Sequence, residues 1–220
     1  SSRRVYPIKS VGNDATTGLI ETTASGSYTM YGGTLDASKV TLTKNSEGKQ
    51  GSGGAVILFG GDATPCSFTQ YGGTIKGAKS VAANGAAIHA PASATVKLLG
   101  GTIENGVAKN LGNGVYATKG CDLTVGGAAK IGDIYIPGNY TITAENLTGK
   151  VGISADRTNG YVLVSCDSAA TAAKLVSNVQ GRALQVNEVD GKFQVKFTHG
   201  NHCECGGTLT GVAAENHTCP

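Results

Sequence analysis

One phrase is written three times in this chain: Tyr-Gly-Gly-Thr-Leu at Tyr31 to Leu35, Tyr-Gly-Gly-Thr-Ile at Tyr71 to Ile75, and Leu-Gly-Gly-Thr-Ile at Leu99 to Ile103. A degraded fourth copy begins at Val125 and runs through Gly126 and Gly127 to Ile131. A phrase repeated at a near-constant interval means one structural unit stacked on copies of itself. Gly72 and Gly100 are 28 residues apart and Gly100 and Gly126 are 26 apart, whereas Gly32 and Gly72 are 40 apart. The first interval therefore carries an insertion, for which the polar run Asn45 to Gly53 is the natural place.

The flanks of each copy are strand-like. Tyr28 to Met30, Phe68 to Gln70 and Val96 to Leu98 precede the glycines, and a second phrase recurs between copies as Gly54 to Val56, Ala86 to Ala90 and Gly114 to Ala117. A unit of about 27 residues with three short strands and three turns suits an all-β, right-handed parallel β-helix, a solenoid of about five coils in which each strand pairs with its equivalents one coil up and down. The glycine pairs Gly32-Gly33, Gly72-Gly73, Gly100-Gly101 and Gly126-Gly127 are the structural turns, where glycine takes a positive φ without a Cβ penalty. Ile134 and Ile142 keep the spacing of eight seen between Ile88 and Val96, which marks a last coil. This register puts Cys66, Ala94 and Cys121 on one line, the two cysteines two coil rises apart.

Four regions follow. Residues 1–27 form an N-terminal arm or cap, and 28–153 form the coils. Residues 154–198 form a small α+β cap: a strand at Tyr161 to Cys166, a helix pattern at Ala169 to Val176, and a hairpin from Ala183 to Phe197 turned at Asp190-Gly191. Residues 199–220 form a Cys/His-rich tail. The chain begins at Ser1 without a methionine, which reads as a processed, mature fragment.

Composition supports a slim core. There are 34 glycines among 220 residues, no tryptophan, and 15% charged residues. A net charge of +3, spread along the chain, gives no footprint for nucleic acid, and no apolar run is long enough for a membrane span.

The tail holds the densest chemistry. Cys203, Cys205, His217 and Cys219 would make a closed tetrahedral site for structural zinc, with His199 and His202 as alternate ligands. The competing reading is a disulfide from Cys203 or Cys205 to Cys219. No catalytic residue is expected. The acidic residues of the coils are scattered, with no carboxylate pair of the kind a lyase or hydrolase on this architecture needs, and His89, alone in the coils, suits an outward or turn-satisfied role better than that of a general base.

The Gly-Gly-Thr-Ile coils, the Gly112 to Ala117 turn, the Gly149 to Ser154 segment and the tail His199, His202, Cys203, Cys205, Gly206, Gly207 together resemble the glycine-rich right-handed parallel β-helix repeats of large cell-surface proteins from gut Firmicutes. The resemblance implies secretion or attachment to a bacterial surface and lends no substrate. The expected function is that of a non-catalytic extracellular structural protein that associates with copies of itself, head to tail, into a fibre. The ends of a solenoid offer unpaired edges, and Val5, Tyr6, Ile8 and Val11 of the arm would lie on a neighbouring copy as an added strand. The alternatives are an adhesin module for a glycan or host surface and, less consistent with the residues, a polysaccharide lyase or hydrolase.

Overall fold

The computed structural model describes residues 19–22, 26–42, 54, 56–58, 65–81, 84–138, 140–156 and 161–199. The arm residues Val5, Tyr6, Ile8 and Val11, the run Asn45 to Gly53, and the tail ligands other than His199 lie outside them. Within them the protein is all-β apart from one short helix, and its strands fall into sheets of ten, eight and two strands, parallel except for the hairpin at one edge of the eight-stranded sheet.

The eight-stranded sheet begins with Ser27–Met30, Ser67–Gln70, Thr95–Leu98, Asp122–Gly126, Ile142–Glu145 and Val162–Cys166, each parallel to the next. Equivalent residues of successive repeats are direct partners: Tyr28 with Phe68, Phe68 with Val96, and Val96 with Leu123. A one-residue slip would turn these side chains from the core to solvent, so the apolar alternation sets the register. Phe68, Val96, Leu123, Ile142 and Val164 are all buried.

The ten-stranded sheet carries two rows of strands that meet. One row is Thr34–Asp36, Thr74–Lys76 and Thr102–Glu104; the other is Ile20–Thr22, Val56–Leu58, Ile88–Ala90 and Val115–Ala117. Both rows pair with the single long strand Lys130–Ile136, followed by Val151–Ala155 and Leu175–Ser177. The merging has a cause in the chain. Between the core positions Ile103 and Val115 there are twelve steps, enough for a loop, but between their partners Ile131 and Ile134 there are three. With no residues for a loop the chain crosses the corner as continuous strand, and a bulge between Ile131 and Ile134 sets its three steps against two in Val151–Ala155.

The glycine pairs divide their work. The second member of each takes the positive φ: Gly33 at 85°, Gly73 at 86°, Gly101 at 80° and Gly127 at 50°. The first member is held to glycine by closeness of the neighbouring repeat, because a Cβ on Gly100 would lie 2.3 Å from the Tyr71 carbonyl oxygen and one on Gly72 2.6 Å from that of Tyr31.

Parallel pairing runs past residue 153, through Val162–Cys166 and Leu175–Ser177. The helix is shorter than its pattern, Ala169–Ala172, capped by the Ser168 hydroxyl that accepts from the Thr171 amide. Leu175–Ser177 instead joins the strand row, where Leu175 covers Val151. The hairpin Arg182–Val189 and Lys192–His199 turns at Asp190 and Gly191, both at positive φ as a two-residue loop of this type demands. Its second strand lies antiparallel on Val162–Cys166 and closes that edge of the eight-stranded sheet.

Cys66, Ala94 and Cys121 stand at equivalent places, each just before the paired Ser67, Thr95 and Asp122. Both cysteines, and Cys166, are buried free thiols. Two strand spacings separate Cys66 from Cys121 by about 9 to 10 Å, beyond the roughly 7 Å reach of a disulfide. Burial pushes the Cys166 thiol up to about 11 and raises that of Cys121. In the native protein an alkylating reagent is expected to leave these three thiols unmodified and to label all three in denaturant; native labelling, or a Cys66–Cys121 cross-linked peptide, would show the register to be different.

Candidate functional site

Loops sit between the two strand rows of the ten-stranded sheet only in the earlier repeats. The last of them, from Asn105 to Gly114, stands over the sheet, and the next repeats have no counterpart. Where the loops stop there is a step, and against it lie two adjoining clefts of about 540 Å³ and 440 Å³ that share Asn105, Gly132 and Asn178. Both volumes fall in the range of small-ligand sites.

The floor exists because side chains are missing. Beyond Asp36, Lys76 and Glu104, the residues that follow the next partners Ile131 and Val151 are Gly132 and Gly152. A Cβ on Gly132 would meet the Asn105 amide at 2.5 Å, and one on Gly152 would meet the Asn178 amide nitrogen at 2.4 Å. The two asparagines therefore lie across the sheet in space the glycines leave.

The walls are polar and held in place. Asp133, at the bulge, is buried, and its Oδ1 accepts from the Ser154 hydroxyl at 2.7 Å and from Asn178 Nδ2 at 2.9 Å. Asn178 Nδ2 also donates to the Gly132 carbonyl at 2.8 Å. Such charge-assisted contacts fix the rotamers of Ser154 and Asn178. Asn113 Oδ1 accepts from the Ala108 amide at 3.1 Å and shapes the overhanging loop. Lys130, Lys150 and Glu104 line the larger cleft, and Asn110, Asn113 and Tyr135 the smaller.

Tyr135 ends an aromatic ladder. His89, Tyr116 and Tyr135 are register partners, with ring centroids 5.5 Å and 5.6 Å apart and planes within 8°. Burial, with Asp156 nearby, raises the Tyr135 hydroxyl to about 12, so it stays a donor. His89 is only 8% exposed, its Nδ1 has no partner, and burial lowers its pKa to about 4. It is a neutral, stacked side chain on the outward side of its strand.

Among the described residues no group of three or more His, Cys, Asp or Glu could hold a metal ion. The residues singled out for zinc, Cys203, Cys205, His217, Cys219 and His202, lie outside the described residues, as do Val5, Tyr6, Ile8 and Val11; His199 contributes its backbone to the last strand. Lys76 pairs with Asp36 at 3.2 Å, consistent with a solvated face. The cleft residues Asn105, Asp133 and Asn178 escaped the sequence reading. The signal that points to them is the fall in spacing from twelve to three residues between the core positions of the second row and the first.

Comparison with known proteins places nothing beside this chain: no family model, no curated protein and no solved structure matches it.

Proposed function

We propose that this chain is a non-catalytic module of a secreted or surface-attached bacterial protein, a right-handed parallel β-helix of about five coils that binds a glycan along its flank. The carrying observation is the amide-lined step at Asn105, Asn178 and the fixed Asp133 carboxylate, built on Gly132 and Gly152. The Asn105 amide carries both donor and acceptor capacity, and Asn178, whose Nδ2 is committed to Gly132 and Asp133, presents its Oδ1 as an acceptor for sugar hydroxyls. A side chain already held in place loses little entropy on binding. The in-register rows of equivalent residues support the solenoid. Asp133 gives one carboxylate oxygen to two donors, which suits a positioning role in the cleft.

A second reading, association between copies, is favoured by Tyr31. It stacks on Tyr71 at 5.3 Å, is 77% exposed, and follows a strand, Ser27–Met30, that pairs on one side only among the described residues. Another copy could extend both the ring stack and the ladder there.

Both readings are tested on one preparation. A screen of immobilised neutral, amino and acidic glycans is expected to find binding, reduced about tenfold by Asn105→Ala with a melting temperature close to that of the parent. Asn178→Ala is expected to reduce binding with a lower melting temperature, since that change also takes a donor from the buried Asp133 carboxylate. Absence of binding to every glycan, together with filaments in electron micrographs of the same material, would overturn the glycan reading in favour of the fibre.

A further inference from the structure

The outward row beside the cleft changes character along the stack. It runs Thr34, Thr74, Thr102 and then Lys130, each partnered with the next. Lys150 and Lys174 continue it, since they immediately precede the partners Val151 and Leu175 that stack on Ile131. The Ile131 amide donates to the Lys150 carbonyl, and the Val151 amide to that of Lys174. Three lysines thus stand on one line at successive strand spacings, about 4.8 Å apart, all three exposed. Like charges directly opposed on neighbouring strands destabilise a sheet. Among the described residues none of the three is in an ion pair. Lys130 and Lys150 also line the larger cleft, facing one acidic residue, Glu104.

Resting on the glycan reading above, we infer that the cleft takes an acidic oligosaccharide, laid along the stack and across the strands, with its carboxylates on the Lys130, Lys150 and Lys174 row and its hydroxyls on Asn105 and Asn178. An anionic ligand complements the positive charge that the row concentrates along one line. The Asn105 amide and the Asn178 Oδ1 alongside favour a saccharide over a polyanion without hydroxyls, because they would otherwise be desolvated without partners.

The test is isothermal titration of the native protein with oligogalacturonate, with the same oligomer after reduction of its carboxyl groups to alcohols, and with a DNA duplex. The acidic sugar is expected to bind and its reduced form to bind at least tenfold more weakly. Lys130→Gln and Lys150→Gln should each cost about tenfold and flatten the salt dependence of binding, while their melting curves overlay that of the parent. Equal binding of the reduced oligomer would overturn the inference and leave a neutral-glycan site standing. Binding of neither oligomer would remove the inference, and an empty glycan screen with it would remove the reading beneath. DNA binding of equal strength, lost in the same variants, would make the row an indiscriminate polyanion surface and also overturn it.

Discussion

Replacing Gly101 by alanine is expected to cost at least about 3 kcal/mol of stability, while the same change at Gly32 is expected to cost nothing or to stabilise by about 0.4 to 1 kcal/mol. The two glycines belong to the same Gly-Gly motif, Gly32 as the first member of its pair and Gly101 as the second, and their surroundings differ. Gly101 sits at φ 80°, where a side chain costs about 1 to 2 kcal/mol in strain. Its added Cβ would stand 2.5 Å from the Gly73 carbonyl oxygen and 2.8 Å from the Gly72 carbonyl carbon, and backbone of a neighbouring repeat cannot swing aside as a side-chain tip can. Gly32 belongs to the outermost described copy, has nothing within 4 Å of an added Cβ, and is absent from the positive-φ residues. There alanine acts chiefly by narrowing the unfolded ensemble. Urea denaturation of the two variants reads the difference. A Gly101→Ala midpoint close to the parent's would mean that successive repeats are not stacked glycine on glycine as described.

Acid should weaken the fold through His89. Its pKa is about 4 in the folded protein against an ordinary 6.5, because burial disfavours the imidazolium more than a hydrogen bond to the Asn84 backbone favours it. For a depressed histidine pKa the unfolded chain takes up the proton first as pH falls. Stability is therefore complete above pH 6.5, declines between 6.5 and 4, and levels off below. A shift of this size corresponds to about 3 kcal/mol across that window. His89→Phe keeps a ring against Tyr116 and removes both the titration and the unpartnered Nδ1. The variant is expected to match the parent at pH 7.5 and to exceed its stability by about 3 kcal/mol at pH 4. Parallel stability–pH curves for the two proteins would show that His89 titrates normally.

These effects separate what local chemistry can announce from what packing decides. The Gly-Gly-Thr copies and the alternation of Phe68, Val96 and Leu123 announce strands, turns and their mutual register, because side chains in a strand alternate with period two and a core face tolerates no slip. The free, stacked cysteines and the Asp190-Gly191 hairpin were legible for the same reason: both follow from local spacing. The helix from Ala169 to Val176 was only half legible. Four residues take it, and Leu175 and Val176 are drawn into a strand by the open ladder edge at Val151, a tertiary partner that no propensity records.

The cleft belongs to the tertiary structure. Asn105, Asp133 and Asn178 are far apart in the chain, and each is an ordinary polar residue until three repeats are stacked. The lysine row has the same character: Lys130, Lys150 and Lys174 form no run in the sequence, and only parallel pairing brings them onto one line. The stacking of His89 on Tyr116, with the burial that lowers its pKa, likewise arises only when successive repeats pair. What the sequence determined alone was the repeating strand-and-turn unit, because it depends on contacts between equivalent residues that every copy carries. What the tertiary structure decided was where the copies cease to be equivalent, at the loop that is missing after Ile131, and that loss of equivalence is what opens a surface able to hold something else.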